Sequence, residues 1–139
     1  MKLSELTECL NGTLVYAAKR KNAEKRFHET EITGLSDDSR HILSGEVFFA
    51  LGGGEKDGRD FAFEAAEKGA AAIVAETPVD LSGSDFSPPQ IIVKNSRKAI
   101  AIAAGAFYGH PAEKMRVVGV TGTNGKTTVT YILASIFEA

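Results

Sequence analysis

Three short, mostly apolar runs do most to limit how this chain can fold: Val47-Phe48-Phe49-Ala50-Leu51, Ala71-Ala72-Ile73-Val74-Ala75 and Gln90-Ile91-Ile92-Val93. A run of this length, bounded by glycine or turn residues, reads as a strand buried on both faces. Between the first two lies Phe61 to Lys68, apolar at 61, 62, 63, 65 and 66 and followed by Gly69, which suits a helix with a glycine stop. After the third, Asn95 or Ser96 caps a helix reaching Tyr108, with Ile100, Ala103, Ala104 and Phe107 at helical spacing. Gly109-His110-Pro111 ends it. Strand and helix in alternation predict a parallel α/β sheet over residues 45–108.

The flanks are less regular. Ser4, Leu6 and Leu10 suggest a short capped helix closed by Asn11-Gly12. Thr13-Leu14-Val15-Tyr16 is compatible with a strand, and Glu31 to Leu35 reads as a strand edge entering the polar cluster Ser36-Asp37-Asp38-Ser39-Arg40. Residues 77–89 hold three of the four prolines and read as a surface loop. Phe48, Phe49, Phe61, Phe63 and Phe107 are expected in the core.

Composition excludes several classes of function. The chain has 139 residues, 43% of them apolar and 24% charged, with a net charge of −2. That supports one compact core and leaves no basic face for nucleic acid. The run Lys19-Arg20-Lys21 with Lys25-Arg26 is diluted by Glu24, Glu29 and Glu31 and reads as a solvated helix face. Cys9 is the single cysteine, so no disulfide forms within the chain; it is expected to sit half-buried on a helix, in a reducing compartment. Acidic residues at 5 and 8 are at odds with a secretion signal, and no run approaches eighteen apolar residues, so a cytoplasmic protein is expected. His28, His41 and His110 lack ligand spacing, and no zinc is expected.

The strongest chemical signal lies near the end. Arg116-Val117-Val118-Gly119-Val120 reads as a strand, Thr121 to Lys126 as a glycine-rich turn, and Thr127 onward as a helix. In such a turn successive N–H groups converge on one point, and the following helix adds the positive end of its dipole there. Lys126 would place a point charge on the β/γ-phosphates of a nucleotide, and the Thr127 hydroxyl would ligate Mg²⁺. The spacing departs from the common Walker pattern, which requires glycine where this chain has Val120.

Gly119-Val120-Thr121-Gly122-Thr123-Asn124-Gly125-Lys126-Thr127-Thr128 resembles the ATP loop of the Mur ligase family. A second block, Asp38-Ser39-Arg40, Ser44-Gly45-Glu46-Val47-Phe48-Phe49-Ala50-Leu51, Gly53, Asp57-Gly58 and Phe61, is similar to that family's first domain. The resemblance implies a UDP-sugar substrate domain over 1–111 and the opening of an ATP domain over 112–139. It implies an enzyme of peptidoglycan precursor synthesis that uses ATP and Mg²⁺ to make an acyl phosphate, which an incoming amine attacks. Asp57-Gly58, Phe107 to Pro111 and Thr123-Asn124 favour the branch adding a third amino acid, meso-diaminopimelate or L-lysine, to UDP-N-acetylmuramoyl-L-Ala-D-Glu. On this resemblance Gly122, Thr123, Asn124, Gly125, Lys126, Thr127 and Thr128 hold ATP, with Lys126 catalytic. Ser39, Arg40, Gly54, Glu55 and Lys56 would contact the UDP moiety.

From the residues alone, Asp38 and Ser39 also suit a turn that satisfies only the backbone, and Arg40 suits either a phosphate or a pairing with Asp37 or Asp38. Alternative readings are the D-Ala-D-Ala-adding branch of the family, a P-loop ATPase or kinase, and a non-catalytic UDP-sugar module. Only the ligase reading accounts for the motifs of residues 38–61 in their order. The full enzyme is expected to be a monomer without nucleic-acid or membrane partners, and the 139-residue chain alone inactive. Val117, Val118, Val120, Ile132, Leu133, Ile136 and Phe137 are expected to need a covering surface, with self-association through 112–139 as one outcome.

Overall fold

In a computed structural model of the chain, residues 1–15, 27, 29–52, 57–84 and 86–138 are described. The element order is α1 (Leu3–Leu10), β1 (Thr13–Val15), β2 (Gly34–Ser36), β3 (Glu46–Phe49), a 3-10 turn (Gly58–Phe61), α2 (Ala62–Glu67), β4 (Ala72–Ala75), β5 (Gln90–Ile92), α3 (Ser96–Phe107), a second 3-10 turn (Pro111–Glu113) and α4 (Lys126–Glu138). The five strands form one sheet in the order β1-β5-β4-β3-β2. β2, β3, β4 and β5 run parallel, as the alternation predicts, and β1 joins antiparallel at the edge with Leu14 opposite Ile91.

Side chains leave a strand alternately to its two faces, so each buried run feeds two cores. Val47, Phe49, Ala72, Val74, Ile91 and Val93 face one side and pack with Leu3 and Leu6 of α1 and Ala99 and Ala103 of α3. Phe48, Ala50, Ile73 and Ala75 face the other, against Ala62, Ala65 and Ala66 of α2 and Leu81. The result is helix, sheet, helix. Burying a large apolar side chain stabilises by roughly 1.5–3 kcal/mol. Phe48, Phe49, Ile73, Ile91 and Val74 are all fully buried.

Loops are tied down by polar side chains. The buried Gln90 accepts from the Val79 N–H at 2.8 Å and donates to its carbonyl at 2.7 Å, holding the proline-rich 77–89 connection against the second face. The chain start is fixed to the entry of β2: Leu3 donates to the Thr30 carbonyl and Ile32 to that of Met1.

Several expectations are corrected. α1 begins at Leu3, so Ser4 is inside the helix rather than its cap; Lys2 holds that position. Cys9 is exposed, because α1 buries only the Leu3 and Leu6 stripe. Phe63 is 43% exposed on the outer side of α2, while Phe61 and Phe107 are partly buried rather than central. The helix expected from Phe61 starts as a 3-10 turn at Gly58. Residues 116–120 do not form a strand, since a strand exists only through a hydrogen-bonded neighbour and no described strand pairs there. As the need for a covering surface implies, no described element covers the apolar residues of 112–138. Val117, Val118, Ile132, Ile136 and Phe137 are exposed, and Val120 and Leu133 only partly covered.

Candidate functional site: the carboxyl edge of the sheet

Because β2 to β5 are parallel, their carboxyl ends lie along one edge. Four connections start there: residues 37–45, 50–57, 76–89 and 93–95. In open parallel α/β sheets this edge is where ligands bind, since backbone groups and helix N-termini open onto it. Asp38-Ser39-Arg40 and Asp57-Gly58 lie in the connections that leave it, whereas Gly45 and Glu46 stand at the opposite, amino end of β3.

The Asp-Ser-Arg turn follows β2. Asp38 accepts from the Arg40 amide at 3.0 Å and takes its guanidinium in a fork, Nε at 2.9 Å and Nη2 at 2.7 Å. This contact, with a further one from His41 Nδ1, holds the Asp38 carboxyl well below the usual carboxylate range. Of the two partners open to Arg40, the structure pairs it with Asp38, and its side chain remains 77% exposed. Ser39 is buried instead. Its hydroxyl donates to Glu64 Oε2 at 2.8 Å, and Lys68 Nζ donates to Glu64 Oε1 and to the Ser39 and Arg40 carbonyls, at 2.8, 2.8 and 3.2 Å. α2 thereby clamps the turn. The Lys68 and then the Ser39 hydrogen bonds lower the Glu64 pKa.

The Asp-Gly pair follows β3, and both residues have a structural reason. The Asp57 carboxylate accepts from the Arg59 amide at 3.0 Å and caps the 3-10 turn, while the Arg59 guanidinium grips the same carboxylate and donates to Thr77 Oγ1 at 2.7 Å. That grip lowers the Asp57 pKa to about 2. Gly58 lies against the backbone of Leu51: a Cβ there would stand 2.5 Å from the Leu51 nitrogen, so only glycine fits. Ala50, Gly52, Asp57, Arg59, Glu76 and Thr77 surround a recess of about 190 Å³ at the ends of β3 and β4. Gly54, Glu55 and Lys56 lie outside the described residues.

Sequence reasoning missed the partners that organise this edge. Glu64 and Lys68 carry no signal in the sequence beyond their place in the helix expected over 61–68. Glu76 was not singled out, and Ser96 only as a cap candidate. Asn95 is the cap of α3, accepting from the Lys98 amide at 2.7 Å. Ser96 is fully buried and bonds to Glu76 and Gly52. The available signal was position: Glu76 directly follows β4, and Ser96 opens the helix after β5.

The glycine-rich turn at 121–125 is separate from this edge in sequence. Gly122 has φ +151° and Gly125 φ +75°, and Gly125 has open space where a side chain would stand. α4 starts at Lys126, whose ammonium lies back across the turn and donates to the Gly122 carbonyl at 2.6 Å. Val129 donates to the Gly125 carbonyl, so the first-turn amides from Lys126 onward have no partner inside the helix. The Lys126 ammonium also reaches the Thr123 carbonyl at 3.4 Å, so it is held by carbonyls of the turn itself.

Comparison with known proteins gives the family. The family model described as "Mur ligase family, catalytic domain" matches residues 31–134. The UDP-N-acetylmuramoyl-L-alanyl-D-glutamate–2,6-diaminopimelate ligase of Geobacillus thermodenitrificans is 43% identical over 136 residues, 98% of this chain and 25% of that protein. The ligase of the same name from Bacillus licheniformis is 39% identical over 138 residues, 99% of this chain and 26% of its own length. Among solved structures, MurF from Acinetobacter baumannii superposes with a TM-score of 0.71 at 27% identity, covering 99% of this chain and 27% of that one. MurF from Thermotoga maritima in complex with ADP gives 0.53 at 34% identity, over 71% of this chain and 21% of that one. The chain belongs to the Mur ligase family. It spans about a quarter of the length of the curated relatives it matches.

Proposed function

We propose that residues 1–111 form the UDP-sugar substrate domain, and 112–139 the opening of the ATP domain, of an enzyme that adds the third amino acid to UDP-N-acetylmuramoyl-L-Ala-D-Glu in peptidoglycan precursor synthesis. The observation that carries this is the identity of 39–43%, over nearly the whole chain, with ligases named for diaminopimelate. Diaminopimelate is therefore the third residue proposed. ATP, when bound with Mg²⁺, supplies the phosphoryl group that activates the substrate carboxylate for attack by an amine. Lys126, with the first-turn amides of α4 and residues Gly122 to Gly125, holds the phosphate chain, and the Thr127 and Thr128 hydroxyls lie beside it, Thr127 as a magnesium ligand. The Lys126 ammonium must leave the Gly122 carbonyl to reach a phosphate oxygen, a small rotation on a flexible stem.

At the carboxyl edge, Arg40 is an exposed cation, oriented by Asp38, that would meet the diphosphate, and Gly54, Glu55 and Lys56 complete the UDP contact. The turn of Ser39 takes part through its backbone, or through its hydroxyl once Glu64 releases it. A second reading, the D-Ala-D-Ala-adding branch, is favoured by the structural likeness to MurF at 27–34% identity. The test is amino-acid-dependent ADP release by the full-length protein. Release with UDP-N-acetylmuramoyl-L-Ala-D-Glu and meso-diaminopimelate is expected. Release only with the tripeptide precursor and D-Ala-D-Ala would establish the second reading, and release with no amino acid an ATPase.

A further inference from the structure

α2 is seated on the sheet by Ala62, Ala65 and Ala66, all fully buried. From that base Glu64 and Lys68, one helical turn apart, reach the turn that follows β2. An ordinary i,i+4 pair satisfies itself on the helix surface; this one extends to a second connection. A lysine ammonium has three donors, and here the Ser39 carbonyl at 2.8 Å, the Arg40 carbonyl at 3.2 Å and Glu64 Oε1 at 2.8 Å take them. Lys68 therefore keeps no donor for a ligand. Glu64 gives Oε1 to Lys68 and Oε2 to the buried Ser39 hydroxyl, and as a carboxylate it would repel an anion. Arg40 is the opposite case. Asp38 occupies its Nε and Nη2 edge, and among the described residues nothing occupies Nη1.

We propose that Glu64 and Lys68 are positioning residues for anion recognition by this turn: they hold it so that the Arg40 guanidinium, forked by Asp38, presents its open edge to the diphosphate. The inference rests on the reading of Arg40 as the residue that meets the diphosphate. Neither Glu64 nor Lys68 touches the ligand. The two carbonyls gripped by Lys68 belong to the peptides on either side of the Arg40 Cα, so the direction of that side chain is set from both. Arginine recognises phosphate through a planar fork, which depends on orientation more than a point charge does. Pre-set geometry improves affinity by removing ordering that binding would otherwise require.

The test is calorimetric titration of the full-length protein with UDP, with a thermal melt on each variant. Glu64→Ala and Lys68→Ala are made singly and in an Arg40→Ala background. Their side chains are 44% and 37% exposed, so the variants keep the fold. Glu64→Ala removes a negative charge near the site, and charge alone would tighten the binding of an anion. Positioning predicts the reverse sign, a loss of roughly fivefold for each single variant. With Arg40 already absent, the same substitutions are expected to cost less than about twofold. Unchanged or tighter binding by Glu64→Ala, or a loss of equal size in the Arg40→Ala background, overturns the positioning role and leaves the UDP site standing. Wild-type affinity in Arg40→Ala overturns the reading of Arg40 on which the inference rests. A wild type that does not bind UDP overturns the site itself.

Discussion

Residues 1–111 and 112–138 of one chain show opposite relations between sequence and packing. In the first region every strand has a hydrogen-bonded neighbour, and both sheet faces are covered by helix. In the second, residues as apolar as those of the core stand in solvent: Phe137 is 71% exposed and Phe49 fully buried. Hydrophobicity alone does not make a core. The difference is geometric, because residues 1–111 hold both partners of each contact, whereas the apolar side of α4 meets no described element that covers it.

The largest expected effect separates the two regions directly. Phe49→Ala should destabilise the fold by about 3–5 kcal/mol, and Phe137→Ala by no more than about 0.5 kcal/mol, in urea denaturation of the chain. Equal costs would mean that α4 packs as part of the same cooperative unit. The next effect asks whether the exposed region carries chemistry. In the full-length enzyme Lys126→Ala should lower turnover by about 10²–10³-fold with ATP saturating, since it removes a charge placed for the transferring phosphoryl group. A full-length Lys126→Ala enzyme with normal kcat would deprive residues 121–128 of the role proposed for them.

The smallest effect concerns acid, and it belongs to the first region alone. Asp38, Asp57, Glu64, Glu76 and Asp80 all have pKa values lowered by hydrogen bonds: from Arg40, Arg59, Lys68, Ser96 and Ser82 respectively. A folded pKa below the unfolded one adds stability that is complete above the unfolded value and disappears as pH falls through the folded value. The ordinary values are 3.8 for aspartate and 4.5 for glutamate. The melting temperature should therefore be level above about pH 5 and fall steadily toward pH 2. These groups are solvent-exposed, so the decline should be shallow and weaker in high salt. A transition that stays level down to pH 2 would show that the clamps contribute no net stability.

The local signals were legible where one residue type has one physical use. Gly69 and Gly109 end their helices at positive φ, Asn95 caps α3, and the three apolar runs contain β3, β4 and β5. Gly58 was visible as part of a motif, but its reason, contact with the Leu51 backbone, was not. The carboxyl-edge motifs were likewise readable as a block, whereas the partners that hold them were not. Glu64 is 25 residues from Ser39 and Ser96 is 20 from Glu76, and no local pattern links such positions.

What the amino-acid order determined by itself is the alternation of strand and helix, the parallel sheet this forces, and a glycine-lysine turn leading into a helix. These follow from periodicity and backbone conformation, which act over a few residues. What only the tertiary structure decided is which polar groups meet: that Ser39 turns inward to Glu64, that Arg40 pairs with Asp38, and that Glu76 reaches Ser96. It also decided that residues 116–120 are not a strand, because a strand is completed by hydrogen bonds to another segment, and composition cannot supply that neighbour.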